Sequence, residues 1–294
     1  MGTICLDTGA LRRSPELPQV VAETDAKFVV TDASIMELCK SDQWERTIRD
    51  SLKPLSTVPE RVFCTLGNGE LMRAQFEGLA PLEIGDLVGE KPTMWLRALL
   101  KEIAGGTSGK TFEQMPEAIR EANQRMAQGH LDHVRNREML MELLPTIQKN
   151  VPTELLSELR GGRMPVQDVR DLVTEFVSSF LPHLEPPPVP KDVLETWIRR
   201  RSYVFRWTWL RARTVVEWIA KGGLDSAKPA AITNSDIDRQ ILTIGSYCTS
   251  LLTEDNQVRE FDADLRSVIE SPSLLSTPTN SLLDSQRWID RSDE

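Results

Sequence analysis

Two acidic residues stand where short apolar runs stop. Asp7 follows Thr3-Ile4-Cys5-Leu6, and Asp255 closes Leu251-Leu252-Thr253-Glu254-Asp255, a run ending on Thr-x-Asp. Just upstream of the second run, Asp236-Ile237-Asp238-Arg239-Gln240-Ile241-Leu242 gives an apolar helical stretch an acidic start. Carboxylates at the ends of buried strands suit a divalent-metal site. Hard cations want oxygen ligands, and a low-dielectric rim holds them in place.

The elements that must position these groups read as α/β at both ends of the chain. Over residues 1–78, strand Thr3–Leu6 leads into a loop and then a helix around Pro15–Thr24. Strand Phe28-Val29-Val30 comes next, with Thr31-Asp32 as a helix N-cap and a helix over Ser34–Lys40 that contains Glu37. A further helix spans Asp42–Leu52. Val62–Leu66 is a third strand, and Gly67-Asn68-Gly69 turns the chain into helix Glu70–Phe76. Strands alternating with helices imply a parallel sheet.

Residues 79–230 change character and read as an all-helical insertion. Trp95, Leu96, Leu99, Leu100 and Ile103 form one apolar stripe. Ile119–Leu144 is a longer helical region, and Val166, Val169, Val173, Phe176, Val177 and Phe180 form another stripe. Pro186-Pro187-Pro188-Val189-Pro190 is a stiff linker into a helix over Val193–Ala220. Residues 231–270 return to α/β, with helix Asp236–Tyr247 and strand Ser250–Thr253. The Ser/Thr/Pro/Asp-rich segment 271–294 reads as a flexible tail, with a short docking helix around Leu282–Ile289.

The acidic residues in this setting resemble the PIN domain, a family of metal-dependent nucleases. The resemblance covers residues 1–78 and 231–270 and leaves the helical insertion outside. It implies a parallel sheet flanked by helices, with carboxylates converging at its C-terminal edge. Asp7 matches the acid ending the first strand, and Glu37 the acid in the helix after a strand. Asp238, with Ile241 three residues on, matches the acid opening a late helix; Asp236 competes for that place. Asp255 matches the acid of the strand-ending Thr-x-Asp. By this resemblance the four residues are catalytic and bind Mg²⁺ or Mn²⁺. The metal supplies a nucleophilic water and stabilises the developing alkoxide, so no His or Ser nucleophile is needed. The expected function is an endoribonuclease, with a bacterial toxin or defence role implied by the same resemblance. An inactive PIN-like interaction module and a DNA-directed flap-type nuclease are the alternatives.

The formal net charge of −9 hides an asymmetry, because residues 191–230 carry nine basic and four acidic residues. Within them, Trp197–Arg213 holds six arginines and no acid, together with three of the seven tryptophans. Arg199, Arg200, Arg206, Arg211 and Arg213 are the candidates for gripping a nucleic-acid backbone, on one continuous helix packed beside the acidic site. The helical spacing of Trp197, Val204, Trp207, Val215 and Trp218 reads instead as core.

Other motifs carry less. Gly105-Gly106-Thr107-Ser108-Gly109-Lys110-Thr111 matches the loose phosphate-loop pattern but comes after a helical stripe rather than a strand. Pro116 interrupts the helix that such a loop must open, so the stretch reads as a connector. His130 and His133 read as a solvated helix face rather than a zinc site. Cys5, Cys39, Cys64 and Cys248 form no Cys-x-x-Cys and read as buried thiols in a reducing cytoplasm. No apolar run is long enough for a membrane span, and no secretory signal is visible. RNA is the expected partner. The insertion and the tail offer places for a protein partner, and a homo-oligomer is compatible with both.

Overall fold

The structure is a computed structural model, and it describes residues 2–40, 42–128, 153–181, 189–222 and 229–271. Four short apolar runs become strands: β1 (Thr3–Leu6), β2 (Lys27–Val30), β3 (Val62–Cys64) and β4 (Ser250–Leu252). They pair in parallel in the order β3-β2-β1-β4. A parallel sheet covered on both faces tolerates few polar residues, which is why the strands read as unbroken apolar runs. The class is α/β, a parallel sheet flanked by helices.

The helices are, in chain order, α1 (Thr8–Arg13), α2 (Leu17–Glu23), α3 (Asp32–Leu38), α4 (Trp44–Leu52), α5 (Asn68–Gly78), α6 (Ile84–Leu87), α7 (Glu90–Ala104) and α8 (Lys110–Gln128), then α9 (Thr153–Arg160), α10 (Val166–Phe180), α11 (Lys191–Arg199), α12 (Tyr203–Ala220), α13 (Pro229–Gly245) and α14 (Asn256–Glu270). No described helix is long and apolar enough to cross a membrane. Contacts divide the chain into two units. The first comprises Met1–Glu77, Leu82–Asp132 and Asp236–Ala263; the second comprises Gly78–Pro81, His133–Ser235 and Asp264–Glu294.

This division corrects the boundary expected at residue 79. The stripe of α7 belongs to the sheet's own core: Leu96, Leu99 and Leu100 are buried in one cluster with Leu6, Phe28, Val30 and Val62. Its pattern is helical, so composition alone assigned it to the insertion. Other differences are local. α1 starts at Thr8, directly after Asp7, where a loop was expected. Thr31 is the N-cap of α3, its Oγ1 accepting from Ser34 N at 3.0 Å, and Asp32 is the first helical residue rather than the cap. Pro116 lies inside α8 and does not interrupt it. Asp236 and Asp238 lie within α13 rather than opening it.

The glycine-rich stretch between α7 and α8 is a connector between helices. Its amides are already taken: Glu102 accepts from Gly109 N, Thr111 N and Phe112 N at 2.9–3.2 Å. A carboxylate of the chain itself sits where a phosphate would have to sit. His130, His133, the Pro186–Pro188 run and the 272–294 tail lie outside the described residues.

In the second unit, the arginine-rich stretch is two helices, which corrects the single helix expected. α11 ends in a Schellman pattern: Ser202 N donates to Trp197 O at 3.0 Å and Arg201 N to Ile198 O at 3.2 Å. Arg201 carries the left-handed backbone of that motif, with φ of 50°. Ser202 then caps α12, its Oγ accepting from Phe205 N at 3.3 Å. Trp197 and Val204 are fully buried, as their helical spacing indicated, and so are Tyr203, Phe205 and Trp209.

Candidate metal centre

The strand register builds the site. Leu6 pairs with Val30 on one side and Leu252 on the other, and Val30 pairs with Cys64. The residues just past these ends, Asp7, Thr31, Thr65 and Thr253, therefore line one edge of the sheet. The order β3-β2-β1-β4 reverses direction at β1, so β1 and β4 flank a topological switch point. Parallel sheets open a crevice outside the carboxyl ends of their strands at such a point. Asp7 and Asp255 come after the two strands that border it.

Thr253 ties these two acids together. Its Oγ1 donates to Asp7 Oδ2 at 2.8 Å and accepts from Asp255 N at 3.1 Å. Asp255 in turn caps α14, its Oδ1 accepting from Gln257 N at 2.7 Å and Val258 N at 3.3 Å. Asp7 is 5% exposed. Burial, foremost, lifts its carboxyl above the usual range; the Thr253 hydroxyl and the Thr8 and Gly9 amides oppose this, while Glu37 adds to it. A Cβ at Gly9 would stand 3.0 Å from Asp7 Oδ2, so the glycine leaves that oxygen room.

Glu37 comes from α3 and Asp238 from α13. Ile237 and Ile241 are buried, which turns α13 so that Asp238 is partly exposed between them. Burial pushes Asp238 up to about 8, and the charges of Asp7, Glu37 and Asp255 push the same way, with Lys40 opposing them. One side chain thus feels the other three. Asp236, the competitor for the place of Asp238, pairs with Arg239, one turn along the same helix.

All the candidate donors are carboxylate oxygens; Lys40 opposes the charge that Asp238 feels and approaches Glu37 at 3.6 Å. That chemistry fits a hard divalent cation. The spacing is open: among the described residues, no group of three or more His, Cys, Asp or Glu is arranged to hold a metal ion. Asp7, Glu37, Asp238 and Asp255 are the candidate oxygen ligands at this edge.

Several neighbours of these acids were not singled out by the sequence pattern. Arg12 Nη2 donates to Glu37 O at 2.8 Å, and Arg259 Nη2 donates to Thr253 O at 2.9 Å. Each sits one turn into the helix after β1 or β4. That position was a usable signal, since a helix after a strand end brings its first turn back to the edge.

The arginines assigned to nucleic acid divide. Arg199 and Arg200 are exposed. Arg206 and Arg213 are 8% and 5% exposed and committed inside the second unit. Arg206 Nε donates to Arg201 O at 2.6 Å, and Arg213 pairs with Asp264 at 3.1 Å and Glu217 at 2.9 Å. Arg211 is half-buried, and burial lowers its guanidinium below the usual range.

No protein-family model, curated protein or solved structure matches this chain.

Proposed function

We propose that the chain is a metal-dependent nuclease of the PIN-like type, hydrolysing phosphodiester bonds in RNA. The observation that carries this reading is the charge coupling of Asp238 to Asp7, Glu37 and Asp255 at the switch point of a parallel sheet. Four acids from four separate elements, held against their own repulsion, cost stability unless a cation offsets them. A bound Mg²⁺ or Mn²⁺ would supply an activated water and charge stabilisation at the scissile phosphate.

The chain's own residues have separate tasks. Thr253 fixes the Asp7 carboxylate and the start of α14, so the two switch-point acids keep their relative position. Gly9 keeps Asp7 Oδ2 uncrowded. Arg12, Lys40 and Arg259 put positive charge at the rim, where a polyanion must approach an acidic centre.

The experiment is cleavage of a fluorescent RNA with Mg²⁺ or Mn²⁺, with chelator, and with Asp7→Asn or Asp255→Asn. Cleavage should need the metal and disappear in both variants. Full-rate cleavage by either folded variant would remove that residue from the ligand set.

A further inference from the structure

The far end of the same strand edge, past β2 and β3, holds a second acidic position that the proposed nuclease does not use. Asp32 is not consumed by capping α3, because Thr31 supplies the hydroxyl that does so. The residue is partly exposed overall, yet its Oδ1 is shielded from solvent and has no hydrogen-bond partner. The Oδ2 side is close to the next turn: a Cβ at Gly67 would stand 3.1 Å from it.

Asp32 lines a cavity of about 310 Å³ in the sheet unit, walled by apolar side chains that include Ile35, Trp95, Met115, Ala118 and Ile119. Such a volume is at the lower end for small-molecule sites, and apolar walls with one placed polar group are their usual composition. Cys39 and Cys64 also border it, but burial pushes both thiols up to about 12, so they add no anion. Glu70 is the charged neighbour that Asp32 feels, and it has the same sign. Burial, foremost, pushes the Asp32 carboxyl up to about 7, and Glu70 pushes the same way, so above that pH a cationic ligand meets one carboxylate and a hydrocarbon wall, and an anionic one meets repulsion.

We propose that this cavity binds a small apolar amine, its ammonium on Asp32 and its hydrocarbon body against Trp95, Met115 and Ile119. The ammonium meets the Asp32 carboxyl group that borders the cavity, and the apolar body replaces water along walls that offer it no partners. The proposal does not depend on the nuclease reading.

The test uses the full-length chain and two probes of equal shape, 3-phenylpropylamine and 3-phenylpropan-1-ol, titrated calorimetrically at pH 8. The amine should bind one to one, about tenfold or more tighter than the alcohol, as expected for a charge-assisted hydrogen bond. Asp32→Asn should bring the amine down to the alcohol's affinity. Asp7→Asn should leave the amine unchanged, which separates this site from the metal centre. Equal binding of the two probes to the wild-type chain would overturn the proposal, and so would no saturable binding of the amine. Loss of amine binding in Asp7→Asn but not in Asp32→Asn would overturn it as well. Because the probe comparison is made on the wild-type chain, it holds even if a variant folds poorly.

Discussion

The two units of this molecule treat buried carboxylates in opposite ways. In the second unit, Asp264 is 2% exposed and lies between two guanidinium groups, Arg170 at 2.9 Å and Arg213 at 3.1 Å. In the sheet unit, Asp238 lies among Asp7, Glu37 and Asp255, with Lys40 as the opposing charge. Asp264 is neutralised by its own chain and holds structure together. The sheet-edge acids are left with surplus negative charge, which is the arrangement expected where a cation is to be recruited. The same contrast sorts the basic residues: within the arginine-dense stretch, Arg213 is a structural counter-ion and Arg201 and Arg206 donate to backbone carbonyls, whereas the acidic edge is bordered by isolated Arg12, Lys40 and Arg259.

The widest separation between the two kinds of acid should appear in catalysis. Asp7→Asn or Asp255→Asn should lower metal-dependent RNA cleavage by on the order of a thousandfold, because an amide is a poor ligand for a hard cation. Circular dichroism should show the fold retained. Asp264→Ala should do the reverse. It leaves Arg170 and Arg213 without their shared partner and should destabilise the second unit by about 3–5 kcal/mol. Hydrogen exchange should place that loss in α10 and α12, with the sheet protected as before. Equal loss of stability from the two kinds of substitution would break the comparison.

Proton linkage sharpens it. The folded chain holds a proton on Asp238 up to about pH 8, whereas the ordinary carboxyl value is 3.8. Between those values the folded state binds more protons than the unfolded state, so this group's contribution is full below the lower value and falls as pH rises toward the upper one. Asp238→Asn should therefore raise the melting temperature at pH 8 by about 2–4 °C and change it little near pH 4. A lower melting temperature in Asp238→Asn at pH 8 would show that the carboxylate is compensated after all. The smallest effect belongs to exposed arginines. Arg199→Gln with Arg200→Gln should shift stability by less than about 0.5 kcal/mol. Its salt-dependent RNA binding, measured beside Arg12→Gln, tells whether the basic block or the rim does the gripping: the larger loss of affinity is expected from Arg12→Gln.

Much of the site's frame was legible in the sequence. A mostly apolar run such as β1 leaves its following acid, Asp7, on the sheet edge, and Asp255 stands three residues past β4 at the start of α14. The parallel sheet was implied by alternating elements. Asp238 and Asp236 could not be separated by pattern, because both precede buried residues; the difference is the Arg239 side chain beside Asp236. The ownership of α7 was hidden because an amphipathic helix covering a sheet and one in a bundle carry the same stripe. The break at Arg201 was hidden because the left-handed position of a Schellman turn is here an arginine, not the glycine that would have announced it. Nor could composition tell a phosphate-gripping arginine from one paired with Asp264, a residue 51 positions away from Arg213.

The central claim is the proposal that the sheet-edge acids bind a divalent cation. Thermal unfolding at pH 8 across a Mn²⁺ titration, for the wild-type chain and for Asp7→Asn, tests it without any substrate. The account predicts a saturable rise in the melting temperature of the wild-type chain and none in Asp7→Asn. A melting temperature indifferent to Mn²⁺, or an equal rise in both proteins, would contradict it.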